Sequence, residues 1–213
     1  MSKRFWAILA VIIVIFVGIL LAKNHKTNAP GSGGKATVTN HVEGKGQSGV
    51  TLVEYGDYEC PYCGEFYPTV KQVAAKYNDQ ITFQFRNLPL TQIHQNAFAG
   101  ARAAEAASLQ GKFWEMHDLL YANQSAWENS NSVESIFTSY ASQLGLNTKQ
   151  FQSDYASTKV NDTINADAAA FAKLGLPMQT PTFILDGKSV QPSNSVDAFS
   201  QLIDNAIKQK QNK

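Results

Sequence analysis

The chain of 213 residues contains two cysteines, and both lie in the run Cys60-Pro61-Tyr62-Cys63. This run follows a predicted strand at residues 50–55 and opens a predicted helix. Thiols three positions apart on the first turn of a helix can close a small disulfide. The free N–H groups and the dipole of that turn favour an anion. Such a site lowers a thiol pKa from about 8.5 into the range of roughly 3.5–7.5. The motif therefore predicts a redox-active dithiol.

The two thiols are expected to have different roles. Cys60 opens the helix and its sulfur can face solvent, so we predict that it is the nucleophile. Cys63 lies one turn further in, and we predict that it is the resolving thiol that attacks a mixed disulfide. A structural zinc site needs four ligands, and no H-x₃₋₅-H pattern follows these cysteines. A copper site completed by Met178 stays open as an alternative use of the same thiols.

Glu54 lies six residues before Cys60, on a strand apolar enough to be central and covered on both faces. A carboxylate in such a strand is costly to bury. Burial should raise its pKa, so that it could exchange a proton with Cys63. The alternative is a solvated glutamate that faces an edge of the sheet. We predict the first, a buried acid that belongs to the site.

The elements around the dithiol follow from hydrophobic periodicity. A helix predicted from Pro61 onward leads to a strand at residues 81–86, where apolar and polar residues alternate. Residues 94–175 show helical patterns and no strand pattern. Strand signals return at residues 182–185, and Asp186-Gly187 predicts a hairpin turn to residues 188–190, before a last helix. The order predicts an α/β fold with one sheet in two separated halves and helices inserted between them.

The first 22 residues predict a membrane anchor. Residues 5–22 form an apolar run of 18 residues, which is roughly 27 Å as a helix and close to the thickness of a bilayer core. A cleaved signal peptide is the alternative, but the run exceeds the usual 7–15 residues and no A-x-A-like site follows it. We therefore predict one uncleaved transmembrane helix at residues 1–22. The run Pro30-Gly31-Ser32-Gly33-Gly34 predicts a flexible linker at residues 23–36.

Charge and cysteine usage narrow the function classes. The 18 Lys and Arg nearly balance the 17 Asp and Glu, so nothing indicates binding to nucleic acid. Because both cysteines lie in one motif, the chain has no thiols left for a separate structural disulfide. A lone thiol pair in an exported domain favours catalysis over covalent stabilisation.

Four segments together resemble the DsbA-like branch of the thioredoxin superfamily. They are residues 52–63, residues 86–90 with His94 after them, residues 111–118, and residues 179–183. The resemblance implies a thioredoxin-like domain at residues 37–93 and 176–213, interrupted by an inserted helical domain at residues 94–175. It also implies a cis peptide bond before Pro181, which would bring Thr180 beside the dithiol and let an extended substrate pair with the backbone there. An ordinary trans proline is the alternative.

The same resemblance implies a thiol–disulfide oxidoreductase outside the cytoplasm of a bacterial cell, anchored to the cell membrane by its N-terminal helix. Its expected partners are reduced exported proteins and a membrane quinone reductase resembling DsbB. No cofactor is expected besides the Cys60–Cys63 disulfide. Between the cysteines, Pro61-Tyr62 is typical of glutaredoxins, whereas strongly oxidising relatives carry Pro-His. A disulfide reductase or isomerase kept reduced by a membrane donor, and the copper-binding protein, stay open as alternatives.

Overall fold

The computed structural model describes residues 37–212. Their strands form one five-stranded sheet in the order β1-β3-β2-β4-β5. The strands are β1 (His41–Glu43), β2 (Val50–Gly56), β3 (Ile81–Asn87), β4 (Thr182–Leu185) and β5 (Lys188–Val190). Strands β2 and β3 are parallel, and the other neighbouring pairs are antiparallel. A mixed sheet of this kind places β2 in the centre.

Eight helices accompany the sheet in the described part of the chain. They are α1 (Pro61–Lys76), α2 (Ala97–Ser108), α3 (Phe113–Ala122), α4 (Gln124–Trp127), α5 (Val133–Gln143), α6 (Thr148–Tyr155), α7 (Thr158–Ala172) and α8 (Val196–Gln211). Helix α1 connects β2 to β3 as the crossover that a parallel pair requires. Helices α2 to α7 follow one another between β3 and β4, which confirms the predicted helical insertion within an α/β fold.

The core lies on both faces of the sheet. On one face, α1 and α8 pack against the strands through Val73, Phe199 and Ile203, all almost fully buried. On the other face, α7 packs against the strands through Phe171, which clusters with Tyr55 and Ile184. Within the insertion, the alanine-rich helix α2 belongs to a larger cluster with Trp127 and Phe137, and its small side chains let the neighbouring helices approach closely. As a result, β2 is covered on both faces.

The hairpin turn also agrees with the sequence pattern. Leu185 pairs with Lys188 across a two-residue turn. Both turn residues, Asp186 (φ 47°) and Gly187 (φ 80°), have the positive φ that a tight hairpin of this type requires. The turn fixes the register of β5 on β4, and β4 in turn pairs with β2 beside the dithiol.

Three elements escape the periodicity analysis. Strand β1 has three residues, α4 has four, and α6 is a short helix between two longer ones. Segments this short carry too few apolar positions to show a period. Their placement depends on contacts with distant segments, such as the antiparallel pairing of β1 with β3.

The predicted transmembrane helix at residues 1–22 and the linker at residues 23–36 lie outside the described residues. Between residues 37 and 212, no helix combines the length and the apolar character needed to cross a bilayer. Residues 37–212 lie within one compact unit, and the domain boundaries at residues 94 and 175 stay a prediction.

Candidate active site

The dithiol lies where β2 leads into α1, at the carboxyl end of the central strand. Cys60 is the N-cap residue of α1, with extended backbone (φ −64°, ψ 121°), and Pro61 is the first helical residue. Both cysteines are free thiols. Cys63 is fully buried, whereas 4 % of Cys60 is accessible. Cys60 is therefore more covered than the sequence predicts, because the segment at Thr180 lies against it, but it is the only one of the two that solvent reaches.

The surroundings of Cys60 favour its thiolate. Its pKa is lowered to about 6, chiefly by a hydrogen bond with the Cys63 side chain and further by Thr180 and the backbone N–H groups of Cys63 and Tyr62, against the opposing effect of burial. These N–H groups belong to the first turn of α1, where such donors have no partner within the helix. At neutral pH, Cys60 is thus poised as a nucleophile.

Cys63 has the opposite tendency. Burial, followed by the hydrogen bond to Cys60 and the charge on it, raises the pKa of the Cys63 thiol. At neutral pH, the pair therefore consists of a Cys60 thiolate on the solvent side and a buried Cys63 thiol. A buried thiol must lose its proton before it can attack a mixed disulfide, so the site needs a proton acceptor near Cys63.

Thr180 and Pro181 lie beside the dithiol, as the resemblance implies. The Thr180–Pro181 peptide bond is cis. The Cys60 Sγ donates to the carbonyl oxygen of Thr180 at 3.4 Å. The Thr180 hydroxyl is buried without a hydrogen-bond partner, so it can donate to a thiolate at Cys60 or to an incoming group.

Glu54 is buried on the central strand, with 3 % of its surface accessible. It lies opposite Phe85 of β3 and Phe183 of β4, so it faces neither edge of the sheet. Burial, followed by the negative charge of Cys60, raises the pKa of Glu54 to about 8. The alternative of a solvated glutamate is wrong. A carboxyl group that titrates near neutral pH, within electrostatic range of Cys63, can take up and return the proton of that thiol.

The loop before Cys60 is fixed by acidic side chains that the sequence analysis did not identify. The Asp57 carboxylate accepts hydrogen bonds from the backbone N–H groups of Glu59 and Leu90, each at 2.9 Å, and pairs with His94 Nδ1 at 2.7 Å. The Glu59 carboxylate accepts from the backbone of Asn96. These bonds tie the active-site loop to the entry of the helical insertion. His94 lies in a loop, where the sequence pattern had suggested a helix.

Gln124 makes a second connection between the helical insertion and the active-site loop. Its side-chain Nε2 donates to the carbonyl oxygens of Tyr58 at 2.7 Å and Cys60 at 2.9 Å. Gly64 makes room for it, because a Cβ at position 64 would lie 2.6 Å from Gln124 Oε1. Gln124 belongs to the four-residue helix α4, and no local pattern distinguishes it from any surface glutamine. Only the tertiary structure reveals that it holds the backbone of the nucleophile.

We expect Gln124→Ala to destabilise the fold by roughly 1–3 kcal/mol, because two backbone carbonyls lose their shared donor. Gln72→Ala is the matched control, since the exposed Gln72 donates only to the carbonyl of Pro68 within its own helix, and its effect should stay within about 0.5 kcal/mol. Urea unfolding of the reduced proteins measures both. Equal midpoints for the two variants would show that Gln124 does not hold the active-site loop.

A groove of about 340 Å³ runs past the dithiol. Its lining includes Tyr62, Phe66 and the segment from Gln179 to Phe183. Tyr62 is 66 % exposed and Met178, close by in sequence, is 59 % exposed. Within residues 37–212, no group of three or more His, Cys, Asp or Glu side chains is placed to hold a metal ion. The surroundings of the thiols thus offer an extended groove with an apolar rim.

The comparison with protein families agrees with this geometry. A family model described as "Thioredoxin" matches residues 36–205. The chain belongs to this thioredoxin family. The match includes the dithiol, the helical insertion and the segment at Pro181, so every element of the site described above lies within it.

Solved structures share the fold of this thioredoxin-family protein. A thioredoxin-like oxidoreductase from Silicibacter pomeroyi is 28 % identical, with a TM-score of 0.66, and the match covers 79 % of this chain and 92 % of that one. BdbD from Bacillus subtilis has a TM-score of 0.64 at 20 % identity, covering 78 % and 92 %. Alpha-DsbA1 from Wolbachia pipientis has a TM-score of 0.67 at 20 % identity, covering 83 % and 96 %. The last two show a shared fold.

Curated relatives carry this thioredoxin-family domain within longer proteins. Na(+)/H(+) antiporter NhaA 1 from Salinispora arenicola is 38 % identical over 168 residues, which are 79 % of this chain and 25 % of that protein. An antiporter NhaA from Herminiimonas arsenicoxydans is 32 % identical over 154 residues, 72 % of this chain and 23 % of that protein. The chain thus spans about a quarter of the length of these relatives.

Proposed function

We propose that this protein forms disulfides in exported proteins by cycling Cys60 and Cys63 between disulfide and dithiol. The observation that carries the proposal is the contrast within the pair, a solvent-reachable Cys60 with a pKa of about 6 and a fully buried Cys63 with a raised pKa. A low pKa at the first thiol makes it a good leaving group and stabilises the dithiol form, which makes the disulfide a stronger oxidant.

The reaction transfers one disulfide bond. A substrate thiolate attacks Cys60 Sγ of the disulfide, the Cys60–Cys63 bond breaks, and Cys63 leaves as a thiolate that takes up a proton. A second substrate thiolate then attacks the substrate sulfur of the mixed disulfide. The substrate disulfide forms and Cys60 leaves as the thiolate that its surroundings stabilise. The substrate loses two electrons and the dithiol gains them.

The substrate is expected to bind as an extended segment in the groove at Thr180 to Thr182. Backbone groups beside a cis proline can pair with an added strand, as in other cases of β-augmentation. The buried and unpartnered Thr180 hydroxyl is placed to donate to the substrate sulfur or to the leaving thiolate. Exposed Tyr62 would contact the side chain next to the substrate cysteine.

The redox potential of the Cys60–Cys63 couple tests this proposal. Tyr62 supplies no positive charge beside the thiolate, so we expect a value above roughly −270 mV, that of thioredoxin, and below roughly −120 mV, that of DsbA. Equilibration of the protein with glutathione buffers of known ratio measures it. A value at or below that of thioredoxin would contradict the oxidase and favour the alternative, a reductase or isomerase kept reduced by a membrane donor.

The proposal includes a place and partners for the reaction. A membrane helix at residues 1–22 and a linker at residues 23–36 would hold the domain at the outer face of the bacterial cell membrane, where reduced exported proteins emerge. A membrane quinone reductase resembling DsbB would accept the electrons of the dithiol. Copper binding by the same thiols is the alternative from another class, and the metal-to-protein ratio after purification distinguishes it from both enzymes.

A further inference from the structure

The turn from β2 into α1 lies against both cysteines. Asp57 directly follows β2, and its carbonyl oxygen accepts a hydrogen bond from the backbone N–H of Cys60 at 3.2 Å. This bond closes a tight turn, so the backbone of Asp57 returns to the first turn of α1. Burial raises the pKa of the Cys63 thiol, and the backbone N–H of Asp57 acts against it, in favour of the thiolate. The backbone of Asp57 therefore serves both members of the redox pair.

The side chain of Asp57 fixes this backbone. Its carboxylate is completely buried and accepts from three donors, the backbone N–H groups of Glu59 and Leu90 and the ring of His94. Since a carboxylate only accepts, Nδ1 of His94 is the donor in the contact of 2.7 Å. His94 lies in the loop that leads into the helical insertion. Loss of its N–H would leave a buried carboxylate short of a partner and free the turn to shift.

We propose that Asp57 and His94 are positioning residues that hold the Asp57 backbone N–H at the point where negative charge develops on the Cys63 sulfur. This role rests on the proposed function, because it belongs to the same exchange reaction. It adds the donor that stabilises the leaving sulfur and the pair of side chains that aims this donor.

The exchange reaction places this charge inside the protein. A substrate thiolate attacks Cys60 Sγ, a bond forms between these two sulfurs, and the Cys60–Cys63 bond breaks with its electron pair on Cys63 Sγ. Cys63 is fully buried, so the Asp57 N–H takes the place of solvent until the thiolate receives a proton from Glu54. When the disulfide closes, Cys63 returns that proton to Glu54 and attacks Cys60 Sγ, and the other thiolate leaves. A donor already aimed at developing charge in a buried site lowers the barrier in both directions.

This placement predicts a kinetic signature. In the disulfide, Cys63 carries no charge, and in the dithiol it holds its proton at neutral pH because burial raises its pKa. The Asp57 N–H therefore stabilises the transition state more than either end state. A displaced donor should slow opening and closing of the disulfide by the same factor and leave the redox potential unchanged. The pKa of Cys60 should also stay unchanged, since Cys63, Thr180 and Tyr62 supply the donors to its thiolate.

Two substitutions with the same branched shape test the donor of His94. His94→Leu removes the ring N–H, whereas His94→Asn keeps an N–H donor near the position of Nδ1. We expect His94→Leu to slow the reduction of the oxidised full-length chain by dithiothreitol about tenfold at neutral pH, a part of the roughly 10²–10³ that one oxyanion-hole donor contributes. His94→Asn should stay close to the wild-type rate. Acid-quenched samples labelled with a maleimide give the fraction of free thiols at each time.

Two further measurements accompany the rates. Equilibration with glutathione buffers gives the redox potential, and the pH dependence of alkylation by iodoacetamide gives the pKa of Cys60. Both should be the same in His94→Leu and wild type. A site that is merely loosened would change at least one of them, because the donors around the Cys60 thiolate would move. If His94→Leu does not fold, Asp57→Asn takes its place, since a carboxamide accepts on one side only, and it should show the same loss of rate at constant potential.

Equal rates for wild type and His94→Leu, or an equal slowing of His94→Leu and His94→Asn, would overturn the positioning role. A slower rate together with a shifted potential or a shifted Cys60 pKa would overturn it as well, since the effect would then lie in an end state. Failure of the proposed function looks different. A wild-type potential at or below that of thioredoxin would overturn the oxidase and leave the comparison of rates valid, because the Asp57 N–H acts on opening and closing alike.

Discussion

Cys63→Ser is expected to accumulate covalent complexes with client proteins, and Cys60→Ser is expected to form none. In Cys63→Ser, Cys60 still exchanges with a client disulfide, because the serine hydroxyl can donate in place of the Cys63 thiol and the backbone N–H groups of the first turn of α1 still favour the thiolate. No second thiol is then present to resolve the mixed disulfide, since the chain has two cysteines. The lifetime of the complex should rise from transient to stable on a gel.

Non-reducing gels of alkylated cells that express each variant measure this trapping, with a reduced lane as proof that the bands are disulfides. The hydroxyl of serine replaces the thiol at nearly constant volume, so both variants should fold. The Cys60→Ser protein serves as the control because its remaining thiol is fully buried with a raised pKa. Equal trapping by both variants would show that helix position does not determine the nucleophile.

Glu54→Gln is expected to stabilise the fold by an amount that grows with pH. The pKa of Glu54 is about 8 in the folded chain against an ordinary value of 4.5, so between these values the folded state holds a proton that the unfolded state has released. The stability contributed by this group therefore falls as pH rises through that window. A shift of this size corresponds to about 5 kcal/mol once pH exceeds 8, at about 1.4 kcal/mol per unit. Glutamine carries no titrating proton and avoids the loss.

Urea unfolding of wild type and variant from pH 4.5 to pH 8.5 measures the difference. We expect little difference at the acid end and several kcal/mol in favour of glutamine at the alkaline end. Comparison at each pH cancels the contributions of the titrating groups that do not interact with Glu54. Glu65→Gln on the exposed face of α1 is the matched control and should stay within about 0.5 kcal/mol at every pH. A difference that is flat across pH would mean that Glu54 does not titrate in this range.

The parts of this site that the sequence predicts are those whose chemistry is local. Residue type, spacing and position at the start of a helix are enough to identify Cys60 and Cys63 as a redox pair. Glu54 is predictable because an acid in an apolar strand is unusual wherever that strand lies. Pro181 was identified by resemblance, since nothing in the residues around it specifies a cis bond. These side chains do meet at one place in the structure.

The parts that the sequence does not predict depend on distance along the chain. Gln124 reaches the carbonyl of Cys60 from 64 residues away, and Asp57 pairs with His94 from 37 residues away. Nothing in the sequence distinguishes His117 from an ordinary buried side chain, and its unpartnered Nε2 becomes evident only in the folded structure. Each role depends on a contact with a residue far away in the sequence, which no local sequence pattern identifies.

The position of the helical insertion has a consequence for the timing of synthesis. The sulfur of Cys60 contacts a carbonyl 120 residues further along the chain, and β2 stays unpaired on one edge until β4 emerges. At about 5–20 residues per second, the ribosome takes roughly 6–24 s to make that stretch. During this interval the first thiol exists without Thr180 and Pro181 beside it. The nascent chain therefore carries a cysteine before it carries an active site, and premature exchange of this thiol with other disulfides is a hazard until the last strands are in place.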